Sequence, residues 1–273
     1  MGRLNQEKFL IEICDTVNSI DDFDKTKDLI IVNEPTLYDY TDRVLLIDMD
    51  SIIYTASYKT EEDLEECYFK INNKIFEITL NIEKWFKITK TYMFIKGNNN
   101  FRYDIYKDYK ANRPPKHPII NQLYDYCKKT FSNIVECHNA EADDYIYTAH
   151  SFNNCSSVIA IVDKDLLQMP GIFYLYNTTS VKKGEFLKVC KDTAIYNLAT
   201  QCLIGDPVDN IKFSPGIGKI YAQKNLKKGM SQYSYIKTIY KGYLKSWKGD
   251  SLKAKSNMRM SYSLVKLKNI QYE

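Results

Sequence analysis

An α/β fold is predicted: a mostly parallel, twisted sheet flanked by helices and followed by a helical lobe. Three observations predict it. Apolar runs of strand length alternate with amphipathic stretches of helical period up to about residue 190. The run Ser157 to Val162 is continuous and largely β-branched, as a strand buried on both faces requires. Beyond residue 190 the pattern is helical throughout. The chain divides accordingly into an extension over residues 1–42, a sheet domain over 43–190 and a helical lobe over 191–273.

Taken in order, residues 1–20 read as an amphipathic helix with Phe9, Leu10, Ile13, Val17 and Ile20 on one face, and 21–42 as an acidic, irregular connection. Val44 to Asp48 is the first strand. Residues 61–90 read as a helix, and Tyr92 to Ile95 as the second strand. Residues 96–118 are polar, basic and aromatic, cut off by Pro114, Pro115 and Pro118. A helix over 119–132 follows. Asn139 is the expected N-cap of the next, which runs to His150. The third strand is Ser157 to Val162 and a fourth is Ile172 to Tyr176. In the lobe, Ser214-Pro215-Gly216-Ile217-Gly218 forms a turn between helices.

Charge is unevenly spread over the 273 residues, whose net charge is +4. Residues 1–66 hold seventeen Asp/Glu against six Lys/Arg, whereas 219–268 hold thirteen Lys/Arg against Asp250 alone. A basic lobe suits a polyanion, nucleic acid first; a solvated basic face is the other reading. Seven cysteines without a CxxC, and His117, His138 and His150 without ligand spacing, argue for a reducing, cytoplasmic setting and against zinc. Neither a signal peptide nor an apolar run of membrane-spanning length is seen, so no membrane association is expected.

Four carboxylate clusters carry the chemistry. Asp48 closes the first strand. Glu141, Asp143 and Asp144 sit in NAEADDYI, Asp163 and Asp165 follow the third strand, and Asp206 and Asp209 lie in LIGDPVDNI. Ligands of open α/β sheets bind at the carboxyl ends of strands, where Asp48 and Asp163 stand. Asp163 and Asp165 share one side of an extended segment, and Glu141 and Asp144 one face of a helix. Asp50 is a less certain member. Each cluster alone is an ordinary surface feature; one pocket accounts for all four. Such charges repel unless hard divalent cations neutralise them. An all-oxygen site selects Mg²⁺ or Mn²⁺, and two such ions roughly 4 Å apart suit phosphodiester hydrolysis.

Cations are available to meet the phosphate. The stretch NFRYDIYKDYKANR interleaves them with rings that can stack on bases, with Arg102 and Tyr109 as candidate DNA contacts. Lys110 and Arg113, three apart on an expected helix, would reach one phosphate together. In the SPGIG turn, Gly216 and Gly218 let backbone approach a second phosphate, beside Ile217 and ahead of Lys219. Such a turn grips duplex without reading sequence.

The ordered set LLIDMDS, NFRYDIYKDYKANR, AEADDYI, IVDKDLLQM and LIGDPVDNIKFSPGIG, over residues 43–226, resembles the 5′ nucleases of the flap endonuclease and 5′→3′ exonuclease superfamily, the bacteriophage exonucleases most of all. The resemblance implies a PIN-like sheet and a helix–three-turn–helix DNA-binding element. It implies that Asp48, Glu141, Asp143, Asp144, Asp163, Asp165, Asp206 and Asp209 hold two Mg²⁺ or Mn²⁺ ions. Lys110 and Arg113 would steer the scissile phosphate. Gly216, Ile217, Gly218 and Lys219 would bind backbone, with K⁺ at the turn in some relatives. Two departures stand out. No acid occurs in Phe94-Ile95-Lys96-Gly97-Asn98, where many relatives have one. Ile220-Tyr221-Ala222 replaces a Lys–Thr–Ala-like run.

The expected activity is therefore metal-dependent hydrolysis at 5′ ends, nicks or flaps of duplex DNA by a monomer, in the host cytoplasm if phage-encoded. Removal of RNA from RNA–DNA hybrids, and junction binding without catalysis, are the alternatives.

Overall fold

The computed structural model describes residues 30–32, 39–58, 63–153, 156–176 and 184–270, with backbone alone at 30–32 and 39–41. The helix expected over 1–20 lies outside the described residues. Seven strands form one sheet: β1 (Ile30–Val32), β2 (Asp39–Asp48), β3 (Phe86–Lys96), β4 (Ile134–Cys137), β5 (Ser157–Ile161), β6 (Gly171–Leu175) and β7 (Glu185–Val189). Their spatial order is β1-β7-β6-β5-β2-β3-β4. The five strands from β6 to β4 run parallel; β7 is antiparallel to both β6 and β1.

The topology fixes where a site can form. From β2 the chain moves outward to β3 and β4, then crosses back to place β5 on the other side of β2. The order reverses between β2 and β5, and at such a switch point the loops part and open a crevice at the strands' carboxyl ends. Asp48 is the last residue of β2, and Asp163 follows the end of β5 by two residues.

Period-2 alternation divides the sheet into two cores. Leu45, Ile47, Val158 and Ala160 face α1 (Met49–Ala56), α2 (Leu64–Glu83) and α4 (Ile120–Thr130). Leu46, Ile159 and Ile161 face α5 (Ala142–Phe152), packing with Ile146 and Tyr147. β5 is buried at every position, as its unbroken apolar run requires. In α2, Cys67, Ile71, Ile75, Ile78 and Ile82 form the inward stripe, and Asp63 caps its first turn by accepting from the Glu65 and Glu66 amides.

A third core lies in the helices after residue 190: α6 (Lys191–Ile204), α7 (Lys219–Asn225), α8 (Gln232–Ser246) and α9 (Ser251–Val265). Tyr243 is wholly enclosed there, and its hydroxyl donates to the Cys202 carbonyl at 2.8 Å. After α9 the chain returns to the sheet layer, where Leu267 packs with the α5 core. Among the described residues no helix is long and apolar enough to cross a membrane.

Several elements depart from expectation. β2 begins at Asp39, and β1 occupies part of the segment read as irregular. The helix expected over 61–90 ends at Glu83, because Phe86–Lys96 extends along β2 as strand. β4 and β7 are short strands that a periodicity reading passes over. Asn139 is not the cap of α5; it sits at φ 61°, and Glu141 is the N-cap. The basic-aromatic stretch is helical only over α3 (Arg102–Ile105), and Lys110 lies in turn structure at φ 59°.

Candidate active site

Asp48 is almost fully buried at the switch point. It N-caps α1, accepting from the Asp50 amide at 3.0 Å and the Ser51 hydroxyl at 2.5 Å. Burial, then the neighbouring charges of Asp50 and Asp163, push its carboxyl up to about 7. Asp50 is drawn off toward the end of β3, where its carboxylate accepts from the Lys96 amide and the Tyr124 hydroxyl, each at 2.9 Å.

Asp143 stands in the first turn of α5. Burial raises its pKa well above the usual carboxylate value, and the next four influences are Asp48, Asp163, Glu141 and Asp165, every one a carboxylate. Asp165 opens a single 3₁₀ turn after β5 and donates its amide to the Asp163 carboxylate at 3.1 Å. The extended geometry expected for this pair is thus replaced by a tight turn. Burial, Asp163, Asp206 and Asp209 together push Asp165 up to about 8, and Gln201 donates to its carboxylate. Asp206 is also raised, by burial first and then, against a Val208 amide bond of 2.8 Å, by Asp209. The loop holding Asp206 and Asp209 is closed by an antiparallel bridge from Asp206 to Ile211. Gly205, at φ 71°, makes the sharp entry to it.

Glu141 behaves oppositely. Burial alone would raise it, but Lys110 and Arg102 hold it below the usual value. Lys110 donates to Glu141 and lies 3.5 Å from Asp209, and Arg113 donates to Asp209. These cations line the same cleft as Glu141, Asp143, Asp163, Asp165, Asp206 and Asp209. The structure therefore brings three of the four sequence clusters to the lining of one cleft, with Asp48 buried beside it and sensed by Asp143, though Lys110 and Arg113 reach it through turns rather than through the expected helix.

Three expectations are corrected. Asp144 is fully buried and faces Arg102, which donates to it at 2.5 and 3.0 Å; both its oxygens are engaged, so it is not open to an ion. Arg102 is buried for the same reason and is not presented to DNA; its Nε also donates to the Leu264 carbonyl at 2.7 Å. Tyr109 is buried rather than offered to a base, and its hydroxyl bridges Asp209 at 2.9 Å and Glu141 at 3.1 Å.

The glycine turn stands apart from the cleft. Gly216 adopts φ 78°, Gly216 and Gly218 are exposed with Lys219, and the Ile217 side chain is buried in the lobe core. Ser214 ties the turn down by donating to the Leu203 carbonyl at 2.6 Å.

Sequence reasoning missed the strap after α9. Gln168 donates to the Val265 carbonyl at 2.9 Å and accepts from the Leu267 amide at 3.1 Å. The Lys268 amide donates to Asp144 at 2.9 Å, and the Ile270 amide to the Thr148 hydroxyl at 2.8 Å. Leu264, Val265 and Leu267 thereby wall one side of the cleft. Asn100, which donates to Glu141 at 2.9 Å, was also missed. The place of Gln168 in IVDKDLLQM was a usable signal; the strap left none.

The donor set suits a hard cation: it is oxygen only, and Asp143 and Asp165 are raised by burial first and then by neighbouring carboxylate charge that a divalent ion would offset. Among the described residues no three His, Cys, Asp or Glu side chains close around one point as they stand. Lys110 and Arg113 engage Glu141 and Asp209, while the remaining acids repel one another.

Comparisons with known proteins give the family and the fold. Residues 43–193, more than half the chain, match the family model of the 5′-3′ exonuclease N-terminal resolvase-like domain. A 5′-3′ exonuclease of Buchnera aphidicola is 30% identical over 203 residues, covering 64% of this chain and 67% of that protein. A 5′-3′ exonuclease of Aquifex aeolicus is 29% identical over 181 residues, covering 61% of this chain and 60% of that protein. A DNA polymerase I of Caldicellulosiruptor bescii is 28% identical over 222 residues, which are 72% of this chain but only 25% of the polymerase. The chain thus spans less than two thirds of the latter two relatives. In fold, the T5 D15 protein co-crystallised with metal ions superposes with a TM-score of 0.51 at 12% identity, covering 83% of this chain and all of that one. The catalytic core of Rad2 in complex with DNA substrate gives 0.51 at 11% identity, covering 92% of this chain and 84% of that one. The match from within β2 to the first residues of α6, a span that carries Asp48, Glu141, Asp143, Asp163 and Asp165, shows that this chain belongs to the 5′-3′ exonuclease N-terminal resolvase-like domain family.

Proposed function

We propose that this protein is a divalent-metal-dependent 5′ nuclease that hydrolyses phosphodiester bonds at 5′ ends, nicks or flaps of duplex DNA. One observation carries the reading: Asp48, Asp143, Asp163 and Asp165 converge on the β2/β5 switch point, where burial and then neighbouring carboxylate charge raise Asp48, Asp143 and Asp165, and Lys110 and Arg113 line the adjoining cleft. The relatives named as 5′-3′ exonucleases, and the T5 and Rad2 structures obtained with metal ions and with DNA substrate, support it.

Asp48, Asp143, Asp163 and Asp165 would hold the ions, with Glu141, Asp206 and Asp209 at the rim. Two Mg²⁺ or Mn²⁺ ions would supply Lewis acidity to the attacking water and the leaving oxygen of an in-line displacement. Lys110 and Arg113 would bind the scissile phosphate, exchanging their carboxylate partners for its oxygens and offsetting the charge that develops there. Tyr109 keeps Glu141 and Asp209 at a fixed separation while that exchange occurs. Arg102 and Asp144 hold the N-terminus of α5, and so Asp143, in place.

A flap duplex labelled on its 5′ or its 3′ end, incubated with Mg²⁺ or with EDTA, tests the reading. Release from the 5′ side in Mg²⁺ alone is expected. Shortening from the 3′ end, or cleavage that persists in EDTA, would overturn it. A matched substrate with an RNA 5′ strand separates DNA from hybrid preference.

A further inference from the structure

The lobe's positive charge is concentrated on one helix face. α8 buries Ile236, Ile239, Tyr240 and Tyr243 and exposes Lys237, Lys241 and Lys245 on successive turns of its other face. Among the described residues none of these lysines meets a carboxylate. The single acid between residues 219 and 268, Asp250, is engaged elsewhere: it caps α9 through the Lys253 amide at 3.0 Å and pairs with the Lys253 ammonium at 3.7 Å. The Lys237 ammonium lies 5.7 Å from the centre of the Tyr233 ring, and that of Lys245 lies 5.2 Å from that of Tyr221.

This face is joined to the glycine turn. The Ser246 hydroxyl donates to the Pro215 carbonyl at 2.6 Å, and the Trp247 indole donates to the Phe213 carbonyl at 3.0 Å. The C-terminal end of α8 is therefore anchored beside the exposed backbone of Gly216 and Gly218. From Lys245 back to Lys237 the stripe runs about 12 Å at the helical rise, the axial length of about three or four phosphates of one strand.

We infer that Lys237, Lys241 and Lys245 form a track for the backbone of duplex DNA that continues from the glycine turn, so that the substrate carries a duplex arm reaching along α8. The inference rests on the proposed function for the substrate's identity and adds where the duplex lies. Duplex is favoured over single strand because, on the side of the stripe, the Tyr233 and Tyr221 rings have the Lys237 and Lys245 ammonium groups over them, where a stacking base would otherwise lie. Lysine ammoniums at one-turn spacing bind phosphates without reading sequence.

The test is binding of the full chain, in EDTA, to a duplex of about two helical turns and to one of its strands, across a range of salt concentrations. Replacing the three lysines by alanine should lower the slope of log affinity against log salt for duplex by about 2.7, three contacts at about 0.9 each. The loss for single strand should be smaller. A triple arginine variant should keep the wild-type slope, and thermal melts check that both variants fold. An unchanged duplex slope, or an equal loss for single strand, overturns the track. Wild-type cleavage in Mg²⁺ is read in parallel: its absence would sink the proposed nuclease while a lowered duplex slope still upheld the track.

Discussion

The guanidinium of Arg102 meets the carboxylate of Asp144 at 2.5 and 3.0 Å, with both side chains closed off from water. The pair links three parts of the chain. Arg102 opens α3, Asp144 lies in the first turn of α5, and both bond to backbone of the strap after α9, Arg102 to the Lys266 carbonyl and Asp144 to the Lys268 amide. Removing one partner leaves a buried charge uncompensated, which costs about 3–5 kcal/mol. Arg102→Ala and Asp144→Asn should each lower the thermal midpoint markedly in urea or heat denaturation. A midpoint unchanged by either substitution would show that the pair is not closed off in solution.

Gln168 has a parallel role. Gln168→Leu strands the Val265 carbonyl and the Leu267 amide, each a buried group worth about 1–3 kcal/mol when unpaired. Amide exchange at Leu267 and Lys268 should accelerate ahead of global unfolding. Uniform acceleration across the sheet would mean that the strap does not open on its own.

At Gly205 the backbone adopts φ 71°, and an added Cβ would stand 2.1 Å from the Ile211 carbonyl oxygen. Gly205→Ala must therefore both strain the turn and break the closure of the loop holding Asp206 and Asp209. A loss of more than about 1 kcal/mol is expected, with lowered cleavage. Wild-type stability in a denaturant titration would contradict the geometry.

The cleft also dictates how stability follows pH. Asp48 is pushed up to about 7 and Asp165 up to about 8, and Asp143 is raised as well, from an unfolded value of 3.8. Between those values the folded chain holds protons that the unfolded chain gives up, so stability falls as pH rises from about 4 to about 8. Glu141 has the opposite sign: its contribution is present above 4.5 and is lost on acidification below it. In EDTA the thermal midpoint should thus decline from mildly acidic pH toward pH 8. Mg²⁺ should restore it most at the alkaline end, where protons no longer compete. A midpoint that rises across this range in EDTA would contradict the shared cleft.

Much of this site was legible in the residues alone. Asp48 ends a strand and Asp163 follows one because the last stretch of β2, Val44 to Ile47, and β5 are unbroken apolar runs, and periodicity marks such runs well. Asp206 and Asp209 were found by spacing, but their loop geometry depends on Gly205 and the Asp206–Ile211 bridge. Burial was the hidden variable. Asp144 and Asp143 are adjacent in a first turn, yet about 100° apart, so one turns into the protein and the other into the cleft. The same holds for Arg102 and Tyr109, whose basic-aromatic surroundings resemble a surface while the strap after α9 bonds Arg102 and the helical core encloses Tyr109. That strap meets the site across more than ninety residues of chain, a relationship carried by tertiary hydrogen bonds with no local pattern.

The central claim is that carboxylates at the β2/β5 switch point carry out metal-dependent cleavage. Single-turnover cleavage of a 5′-flap duplex in Mg²⁺ by wild type and Asp163→Asn tests it most directly, with duplex affinity measured in EDTA. The account predicts a loss of at least about a hundredfold in rate with affinity nearly unchanged. A variant that cleaves at the wild-type rate would contradict it.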